Sequence, residues 1–403
     1  MPSKLKVLQI NSVYGSGSTG NIVKNLMLTM REGGIEPFAA YGIGKDGTKS
    51  DILKFSDSLS VKTDILLSRI TGRTGCFNRK GTATLINWIK EKQPDIIHLH
   101  NIHGFYINVP MLFGFLKQYG RPVVWTMHDC WALTGHCAHF ETIDCDKWQT
   151  HCENCRGLWK YPISYRDRSK KNYDEKNELF SGLQKLTIVT PSRWLAECVK
   201  SSYLKDYPVR VINNGIDLDV FCPTKTNLRS ELGINDGAMI LGMANKWLNP
   251  RNKDTIMRIA EALEGKGKAV IIGSEEQNIH KNIICVPKVT NASKMAQFYS
   301  AADMFVNLTL EDTFPTVNIE ALACGIPVIT YRTGGSPEIL NGDTGYCVEK
   351  FNFNDIIEKI DVILQNGRAF YEEKCIARAN ESYDYKKKFI EYIELYKEIT
   401  IKE

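Results

Sequence analysis

The stretch LEDTFPTVNIEALACGIPVITYRTGGSPEI, residues 310–339, sets two carboxylates, Asp312 and Glu320, eight residues apart with Pro315 between them. Proline is tolerated at the first position of a helix, where its missing N–H costs nothing. The spacing therefore predicts a helix from about Thr316 to a C-capping Gly325, with Asp312 on the loop before it and Glu320 in its second turn. The free N–H groups and positive dipole end of a helix start suit phosphate, and carboxylates beside them accept hydrogen bonds from hydroxyls. Phosphate plus several hydroxyls describes a sugar nucleotide. An acidic helix start that only complements the dipole would account for Asp312, but not for Glu320 or for the TGGSPEI after the next strand.

Two other clusters carry chemistry. Gly15, Gly17 and Gly20 in GSGSTGN have the Gly-x-Gly-x-x-Gly spacing of a dinucleotide-binding turn, but FAAYGIG stands where an acidic residue should close the second strand. Seven of the eight histidines lie between His98 and His151, and five of the 12 cysteines between Cys130 and Cys155. His98, His100 and His103 could serve a hydrolytic metal. On a strand end, however, His98 and His100 share a face and His103 lies past the loop, so they read as core or cleft-lining residues. Cys137, Cys145, Cys152 and Cys155 are candidates for a structural zinc site, because Cys-x-x-Cys at 152–155 is a standard half-site. The first pair is spaced more widely than usual, and free thiols remain the alternative. The Asp-x-Asp triplets at Asp144/Asp146 and Asp217/Asp219 do not follow strands as a metal–diphosphate site requires, and read as loop acids.

The elements that must position these residues alternate. Apolar runs bounded by turn signals, KVLQINSVY, PDIIHLHN, PVVWTMHD and LTIVTPS, read as buried parallel strands. The pattern restarts after VRVINNGID with MILGMANKW, AVIIGS, MFVNLTL, PVITYR and GYCVE, separated by helical stretches such as KDTIMRIAEALEG and ASKMAQFYSAAD. A chain of 403 residues, 43% hydrophobic and 24% charged, is long enough for two cores. The expected organisation is a first α/β domain over 1–208 with a Cys/His-rich insertion at 130–160, a second α/β domain over 209–380, and an amphipathic helix over 381–403. No apolar run is long enough to span a membrane. The start, MPSKLKVLQINS, lacks an apolar signal core, which makes a cytoplasmic location the expectation.

The quoted stretch resembles the signature of family 4 retaining glycosyltransferases with the GT-B fold, in Asp312, Phe314, Glu320, Ala321, Gly325, Pro327, Val328, Gly334, Gly335 and Glu338. GSGSTGN, MHD, TPSRW and NNGIDLDVF extend the resemblance over almost the whole chain. It implies two doubly wound Rossmann-like domains facing across a cleft, with the C-terminal helix packing back toward the first. It implies that Glu320 binds the ribose hydroxyls and Asp312 the sugar hydroxyls, with the backbone of Phe314, Pro315, Thr316 and Val317 toward sugar and diphosphate. The first acid of the family is usually Glu, so Asp312 has a shorter reach. Two basic residues five apart would hold the diphosphate. Lys246 and Arg251 have that spacing with the residue types exchanged, and Lys253 is a rival. The loop with Gly15, Gly17 and Gly20 would line the cleft, and His128 would stand near the reacting carbon. Such enzymes need no protein nucleophile and no metal in the chemistry. The implied partners are a nucleotide-diphosphate sugar and a glycan or lipid-linked acceptor of surface polysaccharide synthesis.

Charge is uneven. Residues 1–205 carry 28 Lys and Arg against 18 Asp and Glu, and the remainder 23 against 28. The excess concentrates in residues 61–92 and 160–176, and predicts salt-sensitive peripheral attachment to the anionic inner face of a membrane, with no apolar anchor visible. Two rival readings remain. A zinc-dependent hydrolase explains none of the second-domain motifs. A nucleic-acid-binding module lacks an aromatic-basic recognition motif, so no nucleic-acid partner is expected.

Overall fold

The computed structural model describes residues 4–45 and 47–401. Residues 1–3, which open the stretch read for a leader, residues 402 and 403 of the expected last helix, and Asp46 lie outside the described residues. Every strand pairing is parallel. That is the outcome expected of short β-branched runs buried on both faces.

The first unit is built on β1 (Lys6–Val13), β2 (Glu36–Ile43), β3 (Ile52–Lys54), β4 (Ile96–Leu99), β5 (Val123–Thr126), β6 (Leu186–Thr190) and β7 (Val209–Val211), in the order β3-β2-β1-β4-β5-β6-β7. The second holds β8 (Ala238–Met243), β9 (Gly267–Ile272), β10 (Ile283–Val286), β11 (Met304–Asn307), β12 (Val328–Tyr331) and β13 (Gly345–Val348), in the order β10-β9-β8-β11-β12-β13. Each order reverses once, beside β1 in the first sheet and beside β8 in the second. Such a reversal opens a crevice at the carboxyl ends of the strands, where ligands bind in this architecture.

The expected boundary at residue 208 moves. β7 pairs with β6, so the first unit runs to Ile212, and the second covers residues 213–388. Gly215 explains the join at the start of the second unit. A Cβ there would meet the Tyr385 backbone at 2.4 Å, and its absence lets Ile216 exchange backbone hydrogen bonds with Tyr383 and Tyr385.

From Phe389 onward the last helix, Tyr385–Ile401, belongs to the first unit. Its Tyr396 and Tyr392 are buried. His98 Nδ1 on β4 lies 2.6 Å from the Tyr396 hydroxyl, and the Thr126 hydroxyl lies 3.1 Å from that of Tyr392. A buried aromatic that also satisfies a buried imidazole cannot be removed without a cavity and an orphaned polar group. Tyr396→Ala should lower unfolding stability by about 3–5 kcal/mol. An unchanged denaturation midpoint would mean the helix contributes nothing to the first core.

Candidate functional site

In the second unit, β8 ends in the turn of helix Ala244–Trp247. Gly242 is required there: a Cβ would sit 2.2 Å from the Trp247 indole. With that space open, the indole is fully buried and its Nε1 donates to the Val306 carbonyl of β11 at 2.6 Å. Buried Asn252 ties the same loops, its Nδ2 donating to the carbonyls of Lys246 (2.9 Å) and Leu308 (2.8 Å). Lys246 thereby stands over the β8–β11 crevice with its Nζ 4.0 Å from Asp312 Oδ2, both half-buried. Asp312 Oδ1 accepts from the Phe314 N–H at 3.2 Å, which fixes the carboxylate at the end of the loop.

The helix that follows spans Thr316–Ala323. Pro315 is its N-cap rather than its first residue, and Cys324 is its C-cap, with Gly325 just beyond at φ +79°. Proline brings no capping side chain, so the helix start keeps backbone N–H groups free of a side-chain partner. Phe314 is buried, its ring 5.9 Å from that of Tyr383, so only its backbone can face a ligand. Thr316 and Val317 are half-buried. Glu320, one turn further, accepts from the Tyr299 hydroxyl at 3.1 Å. Burial pushes its carboxyl up to about 7, against the pull of hydrogen bonds from Tyr299 and Thr316.

Arg251 and Lys253 are both exposed. The Arg251 guanidinium lies 5.5 Å from the Phe351 ring centre, and Lys253 stands at the first turn of helix Lys253–Ala262. Of the three candidate cations, the structure brings Lys246 to Asp312.

No sequence signal marks Tyr299, which sits in a helix with ordinary apolar spacing, or Asn252. The same holds for a buried amide pair below the helix start. Asn307 Nδ2 donates to Asn318 Oδ1 at 2.8 Å, while Asn307 Oδ1 and Asn318 Nδ2 have no partner among the described residues.

In the first unit, the loop after β1 carries Gly15 and Gly17 at φ +65° and +64° and leads into helix Gly17–Glu32. A Cβ on Gly20 would press on Val13 and on the Gly15 backbone at 3.1–3.2 Å. His128 follows β5. Its Nε2 lies 3.1 Å from His100 Nδ1, the two rings are stacked, and His100 Nε2 reaches Gln9 Oε1 at 3.1 Å. Burial holds His128 down to about 4 and His98 down to about 3, so both are neutral imidazoles near neutral pH. Asp129 binds His103 Nε2 at 2.7 Å; burial alone would raise its carboxyl, but interactions with His103 and His139 and the hydrogen bond from the Trp131 N–H hold it at about 2.

Cys137, Cys145, Cys152 and Cys155 line one small cavity with Phe140, Ile143 and Trp148. All four are free thiols, and burial pushes Cys137 up to about 12 and Cys152 up to about 11. Among the described residues no group of three or more His, Cys, Asp or Glu is arranged to hold a metal ion. His98, His100 and His103 are taken up by hydrogen bonds to Tyr396, Thr126, Gln9, Asp129 and their neighbours. Lys176, counted with the surface charge above, is instead buried. It donates to the carbonyls of Trp131 (2.7 Å) and Thr134 (2.9 Å), and burial lowers its amine to about 7. Asp217 and Asp219 are loop acids, the latter 2.8 Å from Lys386 Nζ.

Comparison with known proteins agrees with this layout. The family model "Glycosyltransferase Family 4" matches residues 58–220, and "Glycosyl transferases group 1" matches residues 225–382. The putative colanic acid biosynthesis glycosyl transferase WcaC of Escherichia coli K12 is 24% identical over 86% of this chain and 88% of its own. The capsular polysaccharide biosynthesis glycosyltransferase CapM of Staphylococcus aureus is 26% identical over 44% of this chain and 54% of its own. Among solved structures, sucrose-phosphate synthase of Thermosynechococcus elongatus superposes with a TM-score of 0.72 at 15% identity, over 99% of this chain and 100% of that one. Anabaena HepE in complex with UDP gives 0.65 at 14% identity, over 97% and 99%. The fold is GT-B, and with both family models matched in tandem the chain belongs to the glycosyltransferases, a family 4 domain followed by a group 1 domain.

Proposed function

We propose that this glycosyltransferase moves a sugar, with retention of configuration, from a nucleotide-diphosphate donor to a hydroxyl of a lipid-linked glycan in surface polysaccharide synthesis. The observation that carries the donor assignment is the convergence of Lys246, Asp312, the uncapped start of helix Thr316–Ala323 and Glu320 along the β8–β11 switch point. A cation, free N–H groups and two carboxylates match a diphosphate flanked by two polyols. The polysaccharide role draws support from WcaC and CapM, glycosyltransferases of colanic acid and capsular polysaccharide biosynthesis, and the nucleotide from the UDP held by HepE.

In the step proposed, the bond from the anomeric carbon to the diphosphate oxygen breaks as the acceptor oxygen bonds to that carbon on the same face. The acceptor proton passes to the departing phosphate oxygen. Lys246 stabilises the charge that develops there, and Asp312 holds the sugar. No protein nucleophile and no metal is used. Thermal stabilisation by UDP, GDP or ADP sugars tests the reading, because a bound donor stabilises by mass action. No shift with any of them would end it.

The four cysteines stay a structural zinc proposal. They share one cavity, and binding requires their sulfurs to draw in from where they stand. Purified protein should carry about one zinc per chain, lost with a drop in thermal midpoint in Cys152→Ser. Metal-free protein of unchanged stability would leave them as buried thiols.

Glu320 gives opposite signs in two measurements. Its folded value, about 7 against an ordinary 4.5, lies above the unfolded one. The stability it contributes is therefore present below the ordinary value and lost as pH rises toward 7. Ribose hydroxyls need the ionised form as acceptor, so nucleotide affinity should fall as pH drops through about 7. Glu320→Gln should flatten both profiles, and Glu320→Ala should weaken nucleotide binding by about 2–4 kcal/mol. Unchanged affinity in calorimetry would remove Glu320 from the site.

Lys246→Ala should slow transfer by about 2–4 kcal/mol of transition-state stabilisation, with smaller losses in Arg251→Ala and Lys253→Ala. The reverse ranking in steady-state kinetics would move the phosphate contact to the exposed turn.

A further inference from the structure

Helix Ser58–Thr71 is turned inside out. Its only buried residues are polar, Asp64 and Ser68. Of its six apolar residues, Leu59, Leu66 and Ile70 are 74%, 57% and 53% exposed, while Val61, Ile65 and Leu67 are half-buried. Asp64 explains the inversion. Its carboxylate accepts from Ser68 Oγ (2.9 Å) and from the backbone N–H groups of Phe77 (3.4 Å) and Asn78 (3.2 Å), so the acid anchors the helix to the start of the next one. Leu59, Lys62, Leu66, Arg69 and Ile70 recur at helical spacing on the opposite side. Asp64 is the sole acid of the helix, so the outward face is apolar and basic without a counter-charge of its own.

A second segment adjoins this face. Tyr165 N donates to the Arg69 carbonyl at 2.8 Å. Gly72, at φ +74°, leaves the room that lets the Arg166 carbonyl approach; a Cβ there would stand 2.8 Å from that oxygen. In this loop exposed and buried residues alternate: Trp159, Tyr161, Ile163 and Tyr165 are exposed, and Lys160, Pro162 and Ser164 buried. Trp159 and Tyr165 are 66% and 73% exposed, and Arg166 beside them is exposed too. The two basic stretches of the sequence thus meet, and they carry the apolar anchor that the sequence did not reveal.

We propose that helix Ser58–Thr71 and the 159–166 loop form a docking surface for an anionic lipid bilayer, with Leu66, Ile70, Trp159 and Tyr165 entering the headgroup boundary and Lys62, Arg69 and Arg166 meeting lipid phosphates. Aromatic rings with apolar bodies and polar tips suit that boundary, and an outward apolar face edged with Lys and Arg is the pattern of a helix lying in a membrane interface. The inference deepens the lipid-linked acceptor reading and rests on it for its biological sense. Attachment through apolar side chains differs from attachment by charge alone in its salt dependence, because insertion survives screening that removes the charge attraction.

Flotation with vesicles of equal parts phosphatidylcholine and phosphatidylglycerol tests the surface. Wild-type protein should float with them at low salt, remain partly bound at high salt, and stay behind with phosphatidylcholine alone. The double variant Leu66→Ser, Ile70→Ser should bind about tenfold less or weaker still, and Lys62→Glu with Arg69→Glu should abolish the preference for phosphatidylglycerol. Both variants should keep wild-type nucleotide affinity, which separates loss of docking from loss of fold or of donor binding. Wild-type protein that fails to float at low salt overturns the proposal while the donor site stands. Lipid-free dimerisation that the double variant abolishes, without vesicle binding, would make the face a contact between two copies and also overturn it.

Discussion

The Asn252 carboxamide lies fully buried beneath the ends of three strands of the second sheet, donating to the Lys246 and Leu308 carbonyls and standing 3.4 Å from the Tyr331 hydroxyl. A parallel sheet leaves its loop carbonyls without ladder partners where the strands stop, and a buried carbonyl must find one. Here a single amide serves two loops at once. The distance between the turn after β8 and the loop after β11 is thereby set by one planar group. That distance holds Lys246 near Asp312 at the candidate site. Removing the amide would orphan two carbonyls, so the geometry of the donor pocket and the stability of its floor are one quantity.

In both units desolvation shifts ionisable groups toward their neutral forms. Glu320 is raised and His98 and His128 are lowered, each by desolvation. These groups lie at or next to the carboxyl ends of strands, where a low effective dielectric strengthens any interaction with an incoming charge or dipole. The His98–His100–His128 series, closed by Tyr396 from the last helix, orients imidazoles that would otherwise turn freely. The chain's return to its first unit therefore does more than cover a sheet face: it fixes His98, whose ring packs on that of His100, the neighbour of the candidate His128.

The parallel architecture was legible because buried strands write themselves as continuous apolar runs, and the donor motif because Asp312, Pro315 and Glu320 combine residue type with spacing. β10 was not, since IICV is short and only half-buried. Burial of charge was illegible for a different reason. Lys176 sits in a basic stretch with ordinary neighbours, and only the tertiary packing of the 169–180 helix on Trp131 takes its amine out of water. The same limit applies to Arg251. Its spacing from Lys246 matches a family pattern, but the exposed turn carries it toward Phe351 instead.

Helix Ser58–Thr71 carries that limit to its extreme. Its sequence, SLSVKTDILLSRIT, reads as an amphipathic helix with its leucines and isoleucines turned inward, as a soluble fold would have them. Three hydrogen bonds to one carboxylate turn part of that set outward instead: Val61, Ile65 and Leu67 stay half-buried, and Leu59, Leu66 and Ile70 are exposed. An isolated buried carboxylate costs several kcal/mol, a cost that backbone donors offset when they are placed around it. Turning Asp64 inward necessarily turns Leu66 and Ile70 outward, since residues on opposite sides of a helix cannot share a face. Exposed apolar area loses favourable burial at roughly 25 cal/mol per Å². A fold that accepts this loss on one face, and surrounds that face with Lys62, Arg69 and Arg166, is arranged for a second medium that returns it.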